Sequence, residues 1–440
     1  MKNRIYAFAA GALLAAAIFP QTLAAAEHTT SFGAPVPQEE TAAETGSETG
    51  TTSFGMPGNE PGEEPGEEPG EEPGTVFEPG TGQTAYDLSL SIDGQDYVFP
   101  MSIGEFTALG WTFEELSGDD VTPGSYTYGY AQKEGGSSSG EATVRLTNFD
   151  INSLPPEECM VAGLEIDSSH FESGEDAPVT AGGQIVLGVS GEEEIKEKYG
   201  EPTYDYASDY LIRFDYSEDY TRTVSFEIDP ESGAVSKISV TDFTEPEDFV
   251  KGEPSDEVPA EVEAYERPEA LGDDLFSYNF AFGGNLYAFP VPVSALEADG
   301  WVVNEENSDP YIKAESYGWV SLENADGDSI YELANNFASY ATSPSNCWLT
   351  SLSAGGMGTE NVSLELPGGI GTGMRGEDLL EALEAAGYEY ELDDSLEYFT
   401  TVDVREENYN GYTFYIASDN SPLAKPGTVY QVNIMNYSGE

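Results

Sequence analysis

The chain repeats itself over a long distance, and this repeat constrains the fold more than any other feature. The matching landmarks, each 188 to 190 residues apart, are Gly94–Pro100 with Gly284–Pro290, Trp111 with Trp301, Asn148 with Asn336, Cys159 with Cys347, and Phe226 with Phe414. Because the offset stays nearly constant, we expect two tandem homologous domains. Each copy is long enough to bury a core of its own.

Each copy is predicted to be α+β, with antiparallel sheets and short helices. Tyr86–Ile92 alternates polar and apolar residues, as a half-buried strand does. A short helix is expected at Ser102–Leu109, and another after Ser190, which with Glu193 has the capping-box spacing. The corresponding helix of copy two is predicted at Gly376–Ala386. Three alternating strands should then form a meander, around Tyr210–Tyr216, Tyr220–Ile228 and Val235–Val240.

The N-terminal region has a different character. Lys2 and Arg4 precede an apolar run and the small residues Ala24–Ala26, a pattern typical of a cleaved secretory signal of a bacterium. Repeats of Pro-Gly-Glu-Glu follow, which favour a disordered spacer. The predicted segments are a signal peptide 1–26, a disordered Pro/Gly/Glu-rich linker 27–85, copy one 86–243, an acidic proline-containing linker 244–274, and copy two 275–440. We therefore expect a secreted, extracellular protein without a membrane anchor after cleavage.

Composition excludes several functions. The chain has 15 lysines and arginines against 83 aspartates and glutamates, a net charge of -68. Such a chain lacks the cations that bind nucleic acid or anionic lipid. Two cysteines and two histidines argue against a cysteine-based metal cluster and against histidine-dependent catalysis. The matching Cys159 and Cys347 are expected to be buried thiols.

Four features of the sequence resemble parts of known functional sites. Gly371–Gly376 spells the dinucleotide fingerprint, but the preceding strand alternates, so a strand-to-helix turn is favoured. Asn324–Ser329 resembles a calcium-binding loop, but Gly327 comes before the third oxygen ligand, Asp328, instead of after it, which favours a turn. The sequence around Ser190 does not match the nucleophile motif of serine hydrolases. Carboxylates are so abundant that no pair can be chosen as a catalytic pair of a glycosidase. We therefore assign no catalytic, metal or cofactor-binding residue.

A cluster of tyrosines is the candidate binding site. Tyrosine offers rigid contact area with a polar tip, which suits recognition. The five candidates, interspersed with aspartates, are Tyr204, Tyr206, Tyr210, Tyr216 and Tyr220.

The segment Leu187–Pro202, a glycine-rich turn and short helix followed by a meander, resembles the helix-plus-sheet unit of β-lactamase inhibitor proteins and small outer-membrane assembly lipoproteins. The resemblance covers the second half of each copy, 182–243 and 368–436. It implies a non-catalytic module that binds other proteins through its sheet and loops. The whole chain also resembles secreted Firmicutes proteins with duplicated domains.

The favoured function is a secreted, non-catalytic binding protein whose partner is an extracellular protein or glycan. Two alternatives stay open: an extracellular hydrolase that acts on glycans through a carboxylate pair, and an inhibitor of a secreted enzyme. The sequence does not set the oligomeric state.

Overall fold

A computed structural model describes residues 86–437, apart from 114–115, 117, 220 and 407–409. The predicted signal peptide and the Pro/Gly/Glu-rich linker lie outside the described residues. Within the described part of the chain, no helix has the length and apolar character needed to cross a membrane.

The first half, 86–243, is mostly strand. Its elements are β1 Leu90–Ile92, β2 Gln95–Tyr97, β3 Met101–Ser102, α1 Ile103–Ala108, β4 Trp111–Phe113, β5 Tyr126–Lys133, β6 Ser139–Thr147, β7 Met160–Asp167, β8 Phe171–Glu172, β9 Thr180–Ala181, β10 Ile185–Val186, α2 Glu192–Tyr199, β11 Tyr204–Ala207, β12 Ile212–Glu218, β13 Arg222–Ile228 and β14 Val235–Asp242. A small sheet has the order β10-β9-β1-β2. A large sheet runs β11-β12-β13-β14-β7-β6-β5-β4, with β3 against β7 and β8 against β6.

The second half, 275–437, has a similar order of elements. They are β15 Asn279–Phe282, β16 Asn285–Ala288, β17 Val291–Pro292, α4 Val293–Glu297, β18 Val302–Val303, β19 Ser316–Glu323, β20 Ser329–Asn336, β21 Trp348–Leu349, β22 Ser351–Ala354, β23 Leu364–Leu366, β24 Ile370–Gly371, α5 Gly376–Ala386, β25 Glu391–Asp393, β26 Phe399–Arg405, β27 Gly411–Ala417 and β28 Val429–Met435. A short helix, α3 Ala260–Glu263, precedes them.

The strands of the second half form three sheets, with the orders β16-β15-β23-β24, β17-β21-β20-β19-β18 and β22-β28-β27-β26-β25. The last two correspond to the large sheet of the first half, which is continuous through β7. The predicted α+β class with antiparallel sheets is confirmed. Descent of the two halves from a duplicated domain stays a prediction.

Each half has its own hydrophobic core. In the first half Trp111, Tyr97 and Phe226 are almost fully buried, and in the second half Tyr287 and Phe414 are. The alternation of apolar residues explains this: β13 and β27 each turn every second side chain towards a helix-covered core.

Two helix starts show how the local sequence acts. Ser102 caps α1 through a capping box with Glu105, so this helix begins where predicted. The capping box predicted at Ser190 and Glu193 is wrong by one residue. Ser190 Oγ accepts the Val186 N–H at 3.0 Å instead, and Glu194 accepts the N–H of the actual cap, Gly191.

The predicted linker 244–274 contacts both halves. The N–H of Gly252 donates to Asp150 at 2.6 Å, and that of Ser255 donates to the carbonyl of Ala341 at 2.7 Å. The halves also meet directly, since the Ser153 N–H donates to Ser339 O at 3.0 Å. Hydrogen bonds of backbone and side-chain groups therefore connect the linker and both halves.

Candidate binding surface

The large sheet of the first half buries one face under α1 and α2 and leaves the other open to solvent. Strand alternation places apolar residues on the buried side and polar residues on the other. We call that other side the open face. Its charged and aromatic residues are Tyr126, Tyr128, Tyr130, Glu141, Arg145, Glu165, Asp167, Glu172, Tyr204, Tyr206, Arg213, Asp215, Glu227 and Lys237.

Strand register lines these residues up in rows across the sheet. One row runs directly across five strands as Tyr206, Arg213, Glu227, Lys237 and Asp167. Its charges alternate in sign after the tyrosine. Opposite charges on neighbouring strands attract across the 4.5–5.5 Å that separates paired residues. The charges within the row therefore neutralise one another.

Lys237 contacts three carboxylates of the open face. Its Nζ lies 3.1 Å from Glu165, 3.4 Å from Glu227 and 3.7 Å from Asp167. Burial lowers the pKa of Lys237, but these carboxylates more than offset it, and the pKa is raised overall. Lys237 therefore stays charged at any physiological pH.

Arg213 has a partner of its own. Its Nε donates to both carboxylate oxygens of Asp215, at 2.9 and 3.2 Å. Burial lowers the pKa of Arg213, and the bond and charge of Asp215 raise it above its usual value. The centre of the open face thus holds three cations against four carboxylates, and Glu141 and Glu172 lie on the same face beyond it. In a chain whose net charge is -68, this centre is less acidic than the protein as a whole.

Exposed tyrosines flank this charged centre on both sides. Tyr204 and Tyr206, on the edge strand β11, are 55% and 48% exposed. Tyr128 and Tyr130, on β5, are 50% and 57% exposed. The sequence prediction names the first pair but not the second. The sequence did contain a pattern for the second pair. Every second residue of 126–130 is a tyrosine, as in a strand with one side exposed to solvent.

The other predicted tyrosines lie elsewhere. Tyr216 is a correction: it is fully buried, and its hydroxyl donates to Gly200 O at 3.0 Å, so it belongs to the core. Tyr210 is 90% exposed, but it lies in a turn, outside the strand face predicted for it. Ser208 Oγ accepts the N–H groups of Tyr210 and Leu211 and ends β11 there. Tyr220 lies outside the described residues.

The corresponding surface of the second half has different chemistry. Trp319 and Tyr331 stack there with ring centroids 4.8 Å apart and remain 37% and 59% exposed. Leu333 lies 188 residues after Arg145, where the first half has its cation.

The remaining motifs have structural explanations. Asn324 Oδ1 accepts the N–H groups of Asp326 and Asp328, which makes the suspected calcium loop an Asx-type hairpin turn. In the Gly371–Gly376 motif, β23 and β24 are antiparallel, whereas the dinucleotide site needs a parallel strand–helix–strand unit.

The two cysteines are free and buried, as expected. Burial raises the pKa of both thiols, Cys159 and Cys347, to about 12. Such thiols are unreactive at neutral pH.

Comparison with protein-family models, with curated proteins and with solved structures finds no match to this chain.

Proposed function

We propose that this protein is secreted and acts outside the cell as a non-catalytic binding protein, with a protein partner docking on the open face. The observation that carries the proposal is the pairing of Tyr128 and Tyr130 on one side with Tyr204 and Tyr206 on the other, around a charge-balanced centre. Interfaces are enriched in tyrosine and arginine, which supply much of the binding energy.

Charge supports the same surface. A partner that approaches this protein meets an excess of carboxylates, since the chain has 83 aspartates and glutamates against 15 lysines and arginines. On the open face, each cation faces at least one carboxylate. Repulsion is therefore weakest there, and complementary charges favour encounter and correct register.

The test begins with the immobilised full-length mature chain and proteins of the producing cells' culture medium. A retained protein is then purified, and its dissociation constant is measured. We expect the double change Tyr204→Ala and Tyr206→Ala to weaken binding about tenfold or more. The matched control is Tyr398→Ala, a change of a tyrosine that is 42% exposed in the second half.

Equal loss with both variants, or none with either, would contradict docking on the open face. Catalysis is tested separately on a panel of glycans. Turnover that a single carboxylate substitution abolishes would favour the hydrolase alternative.

A further inference from the structure

Arg145 is the cation of the open face whose charge is least satisfied. Its ion pair is long, with Nη2 3.8 Å from Glu165 Oε2. Within the described part of the chain, its Nε–H has no hydrogen-bond acceptor, although that atom is buried. A guanidinium has five N–H donors in a fixed fork. Nε itself is covered, so a partner can reach Arg145 only at the terminal Nη atoms, one of which has only the long 3.8 Å contact to Glu165.

Glu165 is shared between two cations, with Oε1 towards Lys237 and Oε2 towards Arg145. Glu165 lies closer to Lys237, at 3.1 Å, than to Arg145. Arg213, by contrast, has the two bonds to Asp215 described above. The three cations of the open face are therefore unequal, and Arg145 alone among them has a buried donor without a partner in the described structure.

Arg145 also lies beside the exposed tyrosines. Its guanidinium carbon is 5.8 Å from the ring centre of Tyr128, which is its cross-strand partner. Tyr130 lies on the same face two residues along β5. The side chain of Arg145 is 23% exposed, so a ligand can reach it. An arginine between tyrosines is the composition of an interface hot spot.

We infer that the partner presents an aspartate or glutamate side chain to Arg145, against the ring of Tyr128. This inference rests on the proposed function and adds the chemistry of the partner. A carboxylate can accept two parallel N–H bonds from one guanidinium, the strongest pairing open to arginine. A single carboxylate on a protein surface fits better than a polyanion, because a chain with net charge -68 repels polyanions.

The test uses two small probes, N-acetyl-glutamate N-methylamide and its neutral glutamine analogue, added to the full-length mature chain. The arginine Nε–H signals are followed by NMR up to about 0.1 M probe, where even a millimolar-affinity contact is saturated. We expect the glutamate probe to shift the Arg145 signal and the glutamine probe not to. The Arg213 signal, whose Nε–H is bound to Asp215, is the internal control. An unmoved Arg145 signal, or an equal response of both arginines or to both probes, would overturn the inference.

A second test uses the partner identified above. We expect Arg145→Leu to weaken binding about tenfold or more, and Arg145→Lys to restore only part of it, because lysine keeps the charge but lacks the fork. Leucine occupies the matching position 333, so the variant should fold, which urea unfolding checks. If the tyrosine variant weakens binding and Arg145→Leu does not, the open face stands and this inference fails. If neither does, the proposed function fails as well.

Discussion

The two halves share an order of elements but differ at the centre of the sheet. In the first half, β7 pairs with β6 and β14, and the sheet is continuous. In the second half the matching chain is divided at Thr350 into β21 and β22, which belong to different sheets. Glu332 lies at this break, 188 residues after the buried Val144.

The side chain of Glu332 explains the break. Its carboxylate accepts the Ser353 N–H at 2.7 Å and the Ser351 hydroxyl at 2.9 Å. In the first half, the corresponding strands pair directly, with Val144 opposite Leu164. A carboxylate that takes a backbone donor of the neighbouring strand replaces a ladder bond. One side chain can therefore decide whether corresponding strands form one sheet or two.

The largest predicted effect tests whether the halves have separate cores. Phe226→Ala and Phe414→Ala each remove a fully buried ring at matching positions. We expect each to destabilise its own half by about 3–5 kcal/mol. Hydrogen exchange read by mass spectrometry distinguishes the halves. Equal loss of protection in both halves from either variant would show one cooperative core instead of two.

The next effect compares two buried asparagines. Asn148 Nδ2 donates to Val121 O at 2.7 Å, and Asn336 Nδ2 donates to Tyr340 O at 2.7 Å. Alanine at either position removes these bonds and also the side-chain oxygen that accepts the N–H of Asp150 or of Ala338, so we expect a loss of about 1–3 kcal/mol in each half. Urea unfolding measures both variants. A neutral effect at one position would mean that its loop is held by other contacts.

The pH dependence should differ between the halves because of Glu332. Burial raises the pKa of Glu332, although bonds from Ser351 and Ser353 partly oppose the shift. The folded state then binds the proton more tightly than the unfolded chain. Its contribution to stability is therefore full below about pH 4.3, the ordinary value, and is lost as the pH rises through the folded pKa.

The control for this effect is Glu332→Gln, which keeps the shape without the charge: the amide oxygen can still accept the Ser353 N–H, and the amide NH2 can donate to the Ser351 hydroxyl oxygen. We expect the variant to be more stable than the parent at neutral pH, and this difference to vanish in acid. Unfolding at several pH values, read in the second half, checks it. A difference that stays constant with pH would remove Glu332 as the titrating group.

The smallest effect concerns the open face itself. Tyr204→Ala and Tyr206→Ala should change the free energy of unfolding by no more than about 0.5 kcal/mol each, because both rings are half exposed at a sheet edge. Thermal unfolding measures this. A loss well above 1 kcal/mol would mean that these tyrosines support the fold, and binding defects could then not be assigned to the surface.

The sequence patterns predicted the strands more accurately than the contacts that those strands make. The alternation around Phe214 and Phe226 correctly gave the buried side of the meander, since period two is a local property of extended chain. The same alternation placed Tyr210 in the strand, but the hydroxyl of Ser208 ends β11 and turns the chain first. No sequence pattern singled out Arg145, because its role in the proposed site depends on its position beside Glu165 and Lys237, which are distant in sequence.

The sequence by itself determined the repeat, the α+β class and the acidity, because these depend on residue order and composition alone. Only the tertiary structure decided that Tyr128 and Tyr204, which lie on β5 and β11, flank one surface. It also decided that Lys237 and Arg145 share the carboxylate of Glu165. These outcomes depend on which strands become neighbours, and that is fixed by packing the whole sheet against its core rather than by any local pattern.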